Sequence, residues 1–271
     1  MTNDQHASVR DTVRDHYAKI SQPESGSCCA PGCCGAKPEA SRELGYSEAE
    51  LAALPEGSNL GLGCGNPQAI VALRPGDRVL DLGSGGGIDS FLAARSVGPS
   101  GHVIGVDMTS EMLKRARHAA ARLGLDNVEF RLGEIEHLPV AEADIDVILS
   151  NCVINLSPDK AQVFRESFRV LKPGGRLAIS DVVAIAPIPT ALKEQAAALS
   201  GCVSGATEVE TIEALLSDAG FTDIQVQVRP ESREFIKDWF PGSGVEQCVA
   251  SASITATKPS PTCRETGCCS S

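Results

Sequence analysis

The sequence is short of aromatic residues. One Trp, two Tyr and seven Phe amount to 4% of 271 residues. The chain is long enough to bury a full core, and that core has to be built from Ala, Val, Leu and Ile. Basic runs are missing as well. Lys and Arg number 24 against 35 acidic residues, for a net charge of −11. Nothing here can neutralise a phosphate backbone or an anionic lipid surface, which excludes nucleic acid and membrane surfaces as partners. No apolar stretch reaches the roughly 20 residues that cross a bilayer. The opening segment MTNDQHASVRDTVRDHYAKI carries no apolar core, so no secretory signal is expected. There is no internal repeat. These absences point to a cytoplasmic protein that handles small molecules, and a monomer is expected.

What the chain does have is glycine and cysteine, 26 and 11 residues. In a reducing compartment cysteines read as ligands or redox groups rather than as structural disulfides. They fall into three sets. Cys28, Cys29, Cys33 and Cys34 cluster near the N-terminus, and Cys263, Cys268 and Cys269 lie near the C-terminus. Cys64, Cys152, Cys202 and Cys248 are scattered through the body. For Cys248, in the strand-like run QCVASASI, a small buried hydrophobe is the favoured reading.

The glycines concentrate in VLDLGSGGGID, residues 79–89. The pattern predicts a strand, a tight loop and a helix. Glycine suits that loop because a Cβ would block close approach to a ligand and because positive φ is open to it. The helix start beyond it offers unpaired N–H groups. HVIGVD follows and ends on Asp107, about 20 residues past the glycines, where an acidic side chain can accept both hydroxyls of a ribose. Thr109 is better placed than Asp107 to cap the next helix.

From residue 77 the chain alternates. Strands are expected at 78–82, 102–107, 127–132, 144–150 and 175–183, and helices at 88–97, 109–123 and 158–170. This alternation predicts a doubly wound parallel sheet. Before it, 8–20 reads as a helix with Val9, Val13, Tyr17 and Ile20 near one face. Residues 21–43 read as a mobile loop, 47–54 as a short helix, and Asn66-Pro67 as the start of another. After it come helices at 190–199 and 207–219, the second opened by a capping box, Thr207-x-x-Glu210. Strands at 222–228 and 247–257 close the unit, and the polar tail from 258 is expected to be disordered. The division that follows is 1–66, helical and Cys-rich; 67–185, the nucleotide-binding core; 186–257, further helices and closing strands; and 258–271, the tail.

The glycine spacing is GxGxG rather than the GxGxxG of dinucleotide enzymes. Together VLDLGSGGG, VIGVDMT, RLGEIEHLPV and FRVLKPGGRLAISD resemble the class I S-adenosylmethionine-dependent methyltransferases. The resemblance implies an α/β, Rossmann-like, doubly wound and mostly parallel sheet with a small C-terminal α+β extension. It also implies cofactor contacts: Asp107 on the ribose and Met108 beside the adenine. Glu134 and Ile135 would lie against the adenine ring. Asp81, which leads the loop, would belong to the cofactor site, Gly83 and Gly85 would face the methionine part, and Asn151 would lie near the methionyl group or the reaction centre.

Ligands of such sheets bind beyond the C-terminal strand ends. Cys152, in ILSNCVINL, sits at one of those ends. Cys202, in SGCVSGA, and Cys64, in LGCGNP, can reach the same side. Three thiols meeting at a point select a soft, thiophilic centre, and no His or carboxylate is needed to join them. LGCGNP, SNCVINLSPDK and GCVSGA resemble the three arsenic-binding segments of the arsenite S-adenosylmethionine methyltransferases. The resemblance implies trivalent arsenic as substrate, held by Cys64, Cys152 and Cys202. It implies a fourth, N-terminal cysteine that forms a disulfide with a ligand thiol. That residue comes from Cys28, Cys29, Cys33 and Cys34, and Cys34 suits the family's spacing to Cys64. A thiol reductant, glutathione or thioredoxin, then serves as co-substrate. The chain departs from the family at Leu60-Gly61-Leu62-Gly63, where an aromatic pair often stands. Two other readings remain open on the residues: a methyltransferase of a small organic acceptor, and a thiol-based metalloid-binding protein without turnover.

Overall fold

Four of the runs expected as strands, RVLDL, HVIGVD, IDVILSN and RLAIS, are nearly continuous apolar segments, the pattern of strands buried on both faces. The computed structural model describes residues 3–21, 40–55, 58–61, 63–199 and 202–260. In chain order its elements are α1 (Asn3–Ile20), α2 (Ala40–Glu43), α3 (Glu48–Ala52), β1 (Arg78–Leu82), α4 (Ile88–Val97), β2 (His102–Asp107), α5 (Ser110–Leu123), β3 (Val128–Leu132) and β4 (Ile145–Asn151). They continue with α6 (Lys160–Val170), β5 (Leu171–Ala184), α7 (Thr190–Leu199), β6 (Thr207–Glu208), α8 (Val209–Asp218), β7 (Thr222–Arg229), α9 (Arg233–Ile236) and β8 (Val249–Thr257).

The strands form one sheet in the order β3-β2-β1-β4-β5-β8-β7, with β6 pairing β5. The first five strands run parallel, whereas β8 pairs antiparallel with both β5 and β7. The strand order reverses between β1 and β4, and a crevice opens there beyond their C-terminal ends. The boundary expected near 185 falls inside this sheet, because β8 pairs along β5 from Arg176 to Ala184. Val79, Leu82, Val103, Val106, Ile148 and Leu149 are fully buried. Aliphatic side chains make up most of this core, as the scarcity of aromatics requires.

Local differences from the sequence reading have physical causes. The capping box at Thr207 does not form. Thr207 and Glu208 pair with Val183 and Ala184 instead, and α8 starts without a side-chain cap. The segment after Asn66 is a single 3-10 turn, Pro67–Ala69, with the Asn66 side chain accepting the Gln68 and Ala69 N–H groups. Residues 40–43 are helical rather than loop. Lys258 is not part of a free tail. Its Nζ donates to the Phe168 and Leu171 carbonyls at 2.7 and 2.8 Å and lies over the Phe168 ring.

Candidate active site

A cavity of about 490 Å³ lies at the switch point between β1 and β4. One wall is the glycine loop, where Gly83, Gly85 and Gly87 all adopt positive φ. A Cβ on Gly83 or Gly87 would strike Val153 or Phe91, so these two glycines serve packing. At Gly85, which lines the cavity, a Cβ would meet no protein atom within 4 Å. That position opens into the space a ligand takes.

Asp107 stands at the end of β2 beside this loop. Its Oδ2 accepts the Gly85 N–H at 2.9 Å and its Oδ1 accepts the Thr109 N–H at 2.8 Å. The Thr109 hydroxyl also hydrogen-bonds this carboxylate, so of its about four lone-pair directions one remains for a ligand hydroxyl. Thr109 stands at the cap of α5, but its side chain makes no capping bond. Burial raises the Asp107 carboxyl, and the Thr109 and Gly85 N–H groups oppose that rise. Asp81 is also buried and accepts the Ser90 hydroxyl at 2.6 Å. Burial and the neighbouring Asp89 hold its carboxyl well above the ordinary range. Three carboxyl groups at one wall suit a ligand that carries positive charge.

Met108 and Ile135 line the same cavity, and Glu134 does not. Gly133, Ile135 and Glu136 line the cavity after β3, while Glu134 pairs with Arg10 at 3.4 Å. The segment has left the strand by then, so inward positions no longer alternate. Nothing in the pattern of 8–20 indicates that α1 borders this cavity, yet Arg10, Val13 and Tyr17 line it. The amphipathic face of 8–20 was legible, but not what it covers.

The other end of the cavity is sulfur-rich. Cys64 and Cys152 are joined in a disulfide, their Cα atoms 5.6 Å apart. The Cys202 Sγ donates to the Cys152 carbonyl at 3.4 Å. The structure therefore brings cysteines of three separate segments to one region, with the Cys202 sulfur on the Cys152 backbone and outside the close group that Cys64 and Cys152 form with Asp181. Two of them, Cys152 and Cys202, line the cavity, and Cys64 is buried behind them. The disulfide joins two of the expected ligand cysteines to each other, where the resemblance implies one between an N-terminal cysteine and a ligand thiol. It forms where two loops press two thiols into contact at the cavity wall. Cys34 and the other terminal cysteines lie outside the described residues.

Asn151 explains how Cys64 reaches that wall. Its Oδ1 accepts the Cys64 N–H at 3.0 Å, and its Nδ2 donates to the Gly65 carbonyl at 2.8 Å and the Tyr46 hydroxyl at 3.0 Å. The carboxamide is taken up by the Cys64 loop, although Asn151 does line the cavity. Tyr46 in turn donates to Asp89 Oδ1 at 2.8 Å.

A carboxylate that sequence reasoning missed also stands here. An Asp181 oxygen and the sulfurs of Cys64 and Cys152 lie within 4.8 Å of one another. Burial pushes this carboxyl up to about 6, against hydrogen bonds from Val182 and Asn155 and the nearby Lys160 ammonium. Burial lowers Lys160, while Asp181 and Cys202 pull it up. Phe235 and Trp239 pack against the apolar cluster that contains Cys64, as Cys152 does, and they line the cavity.

Comparison with known proteins places this geometry. Residues 73–220 match the family model of a methyltransferase domain. The chain is 48% identical over 262 residues to an arsenite methyltransferase of Halobacterium salinarum, covering 93% of this chain and 67% of that protein. This chain belongs to the arsenite methyltransferase family. A second such enzyme, from Aquipseudomonas alcaligenes, is 41% identical across 79% of this chain and 62% of its own length. The chain thus spans roughly two thirds of the length of these curated relatives. Among solved structures, an arsenic(III) S-adenosylmethionine methyltransferase from Chlamydomonas reinhardtii superposes with a TM-score of 0.60 at 34% identity, covering 83% of this chain and 74% of that one.

The fold of this arsenite methyltransferase family member is accordingly that of the class I S-adenosylmethionine-dependent methyltransferases. Its cavity suits the cofactor. The open position at Gly85, the lone pair left on Asp107 and the acidic wall match a cationic nucleoside ligand. Among the described residues, no helix is long and apolar enough to cross a membrane.

Proposed function

We propose that this chain transfers the methyl group of S-adenosylmethionine to trivalent arsenic held by Cys64, Cys152 and Cys202, and so serves arsenic detoxification. The observation that carries this reading is the meeting of three cysteines from separate segments at one end of a cavity whose other end is the Gly85–Asp107 wall.

Arsenite condenses with three thiols and releases three hydroxides as water. The arsenic keeps its lone pair, so it can act as a nucleophile with no proton to remove from it. S-adenosylmethionine, when bound, supplies an electrophilic methyl group on a sulfonium sulfur. The remaining work belongs to the chain. Asp107 and the backbone at Gly85 hold the nucleoside, Met108 and Ile135 flank its base, and the acidic wall of Asp81 and Asp89 favours positive charge. The sulfurs fix the arsenic and aim its lone pair. Orientation of this kind contributes roughly 7–11 kcal/mol to lowering a barrier.

Methylation raises arsenic formally to the pentavalent state, and two electrons from a pair of thiols return it while the thiols become a disulfide. A thiol reductant, glutathione or thioredoxin, reopens that disulfide. The organic-acceptor reading has no need of three sulfurs at the cavity.

The test is arsenite-dependent formation of S-adenosylhomocysteine, with methylated arsenicals identified by mass, in the presence of glutathione or thioredoxin. Cys152→Ser and Cys202→Ser are each expected to abolish methylated arsenicals and to keep cofactor binding. Unchanged methylation in both variants would overturn the thiol assignment.

A further inference from the structure

Cys152 has a backbone φ of 57°, in the left-handed region. Only three non-glycine residues among those described share that sign, the others being Ala143 and Asp223. A cysteine held there needs surroundings that over-determine it, and such residues gather at functional sites. What fixes Cys152 is visible. Its N–H donates to the Ser180 carbonyl at 2.8 Å, which ties the end of β4 to β5. The turn that follows is held by one buried side chain, Asp181, the next residue of β5.

Asp181 accepts four hydrogen bonds. Its Oδ2 takes the backbone N–H groups of Ile154 at 3.0 Å and Asn155 at 3.3 Å. Its Oδ1 takes the Asn155 Nδ2 at 2.9 Å and its neighbour's Val182 N–H at 2.8 Å. Asn155 Nδ2 also donates to the Val182 carbonyl at 2.6 Å, so the turn is fastened from both sides. Asp181 and Asn155 are both buried. The carboxylate thus lies beside the Cys64 and Cys152 sulfurs, yet its four lone-pair directions are occupied by the chain itself. That occupancy makes it a holder of the turn rather than a ligand of the arsenic.

We infer that Asp181 is the positioning residue of the arsenic site: it clamps the 152–156 turn so that the Cys152 sulfur faces those of Cys64 and Cys202. This inference rests on the proposed function and deepens it. No bond is made or broken at Asp181. The clamp is specific to the sulfur end of the cavity. Gly85, in the loop after β1, and Asp107, at the end of β2, have no hydrogen bond to it among the described residues.

The experiment compares the reduced wild-type protein with Asp181→Asn, which keeps the shape and replaces one acceptor with a donor that faces the N–H groups. Arsenite capture is followed by the fluorescence of Trp239, the sole tryptophan, which lines the cavity beside the sulfur cluster. Thiols protected by arsenite are counted by alkylation and peptide mass, and cofactor affinity is measured by calorimetry. We expect arsenite affinity to fall by roughly ten- to a hundred-fold, the range for groups that orient ligands. Protection of Cys152 should be lost while cofactor affinity stays at the wild-type value. Wild-type arsenite affinity and full protection of Cys152 in Asp181→Asn would overturn the inference. So would an equal loss of cofactor and arsenite binding in a folded variant, since that marks a general structural role. If Asp181→Asn does not fold, Asn155→Ser removes the clamp from its other side and is judged by the same two criteria. Failure of the wild type itself to capture arsenite would instead refute the proposed function.

Discussion

Cys64 and Cys152, separated by 88 positions in the sequence, are bonded to each other through their sulfurs at the cavity wall. In that state neither can ligate arsenic, because each sulfur has spent its thiol. The first prediction follows directly. Protein isolated without reductant should show no arsenite-dependent formation of S-adenosylhomocysteine, and a dithiol should switch it on. Peptide mass should locate the released pair at Cys64 and Cys152. Full activity with that disulfide still intact would contradict the thiol reading.

Asn151 precedes Cys152 in the chain and brackets the Cys64 residue, accepting the Cys64 N–H and donating to the Gly65 carbonyl. Asn151→Leu keeps much of the volume and removes those bonds. It leaves the Cys64 N–H and the Gly65 carbonyl without that partner, at a cost of about 1–3 kcal/mol for such groups when buried. Thermal denaturation should register that loss. Arsenite affinity should drop further than cofactor affinity, because the bracket holds the Cys64 loop. A larger loss for the cofactor would instead assign Asn151 to the cofactor, and equal losses would mark a general structural role.

At the opposite end, folding and binding can be separated at one glycine. Gly85→Ala places a methyl where the protein has no atom within 4 Å, at a φ of 50°. The backbone penalty is about 1–2 kcal/mol, which the folded chain should tolerate. The methyl projects into the cavity, so cofactor affinity should collapse in a protein with an unchanged circular dichroism spectrum. Asp107→Asn should weaken the cofactor by the loss of charged hydrogen bonds, about 1.5–3 kcal/mol, or roughly ten- to a hundred-fold. Calorimetry decides both, and retention of wild-type affinity in either would move the cofactor elsewhere.

Much of this architecture was legible because its signals are local. The glycine loop, the strand ending on Asp107 and the apolar parallel strands each declare themselves within a dozen residues. The meeting of Cys64, Cys152 and Cys202 was legible from topology, since strand ends and the loops beyond them share one side of such a sheet. The missed parts depend on contacts between distant residues. Asp181 lies in the run LAISDVVA, which reads as an ordinary buried strand, and its partners are 26 and 27 positions earlier. Glu134 was expected at the adenine from the family resemblance, and the turn after β3 has no fixed period to show that Glu136 lines the cavity instead. The lining by Arg10, Val13 and Tyr17 needed the tertiary placement of α1, which its amphipathic pattern does not encode. Residues 207–208 went to the sheet because pairing with β5 outweighed a capping motif.

The Tyr46–Asp89–Asn151 network leads to a prediction about pH. The Asp89 carboxyl is raised to about 6, chiefly by burial, while Tyr46, Asn151 and Gln68 hold it down by hydrogen bonds and Glu50 pushes it up. Its ordinary value is 3.8. Between those values the folded chain keeps a proton that the unfolded chain has released. Stability contributed by this group is therefore greatest below pH 4, falls as pH rises through the window from about 4 to about 6, and is level above it. Burial raises Asp81, Asp107 and Asp181 in the same sense, so the wild-type chain should be easier to unfold at pH 7 than at pH 5. Asp89→Asn removes one titrating group and keeps an oxygen to accept the Tyr46 hydroxyl. Urea unfolding at a series of pH values should give a shallower decline for Asp89→Asn than for the wild type, with the difference confined to that window. Parallel curves would mean that Asp89 ionises as freely in the folded chain as in the unfolded one. The hydrogen bonds from Tyr46 and Asn151 would then be compensating its burial in full.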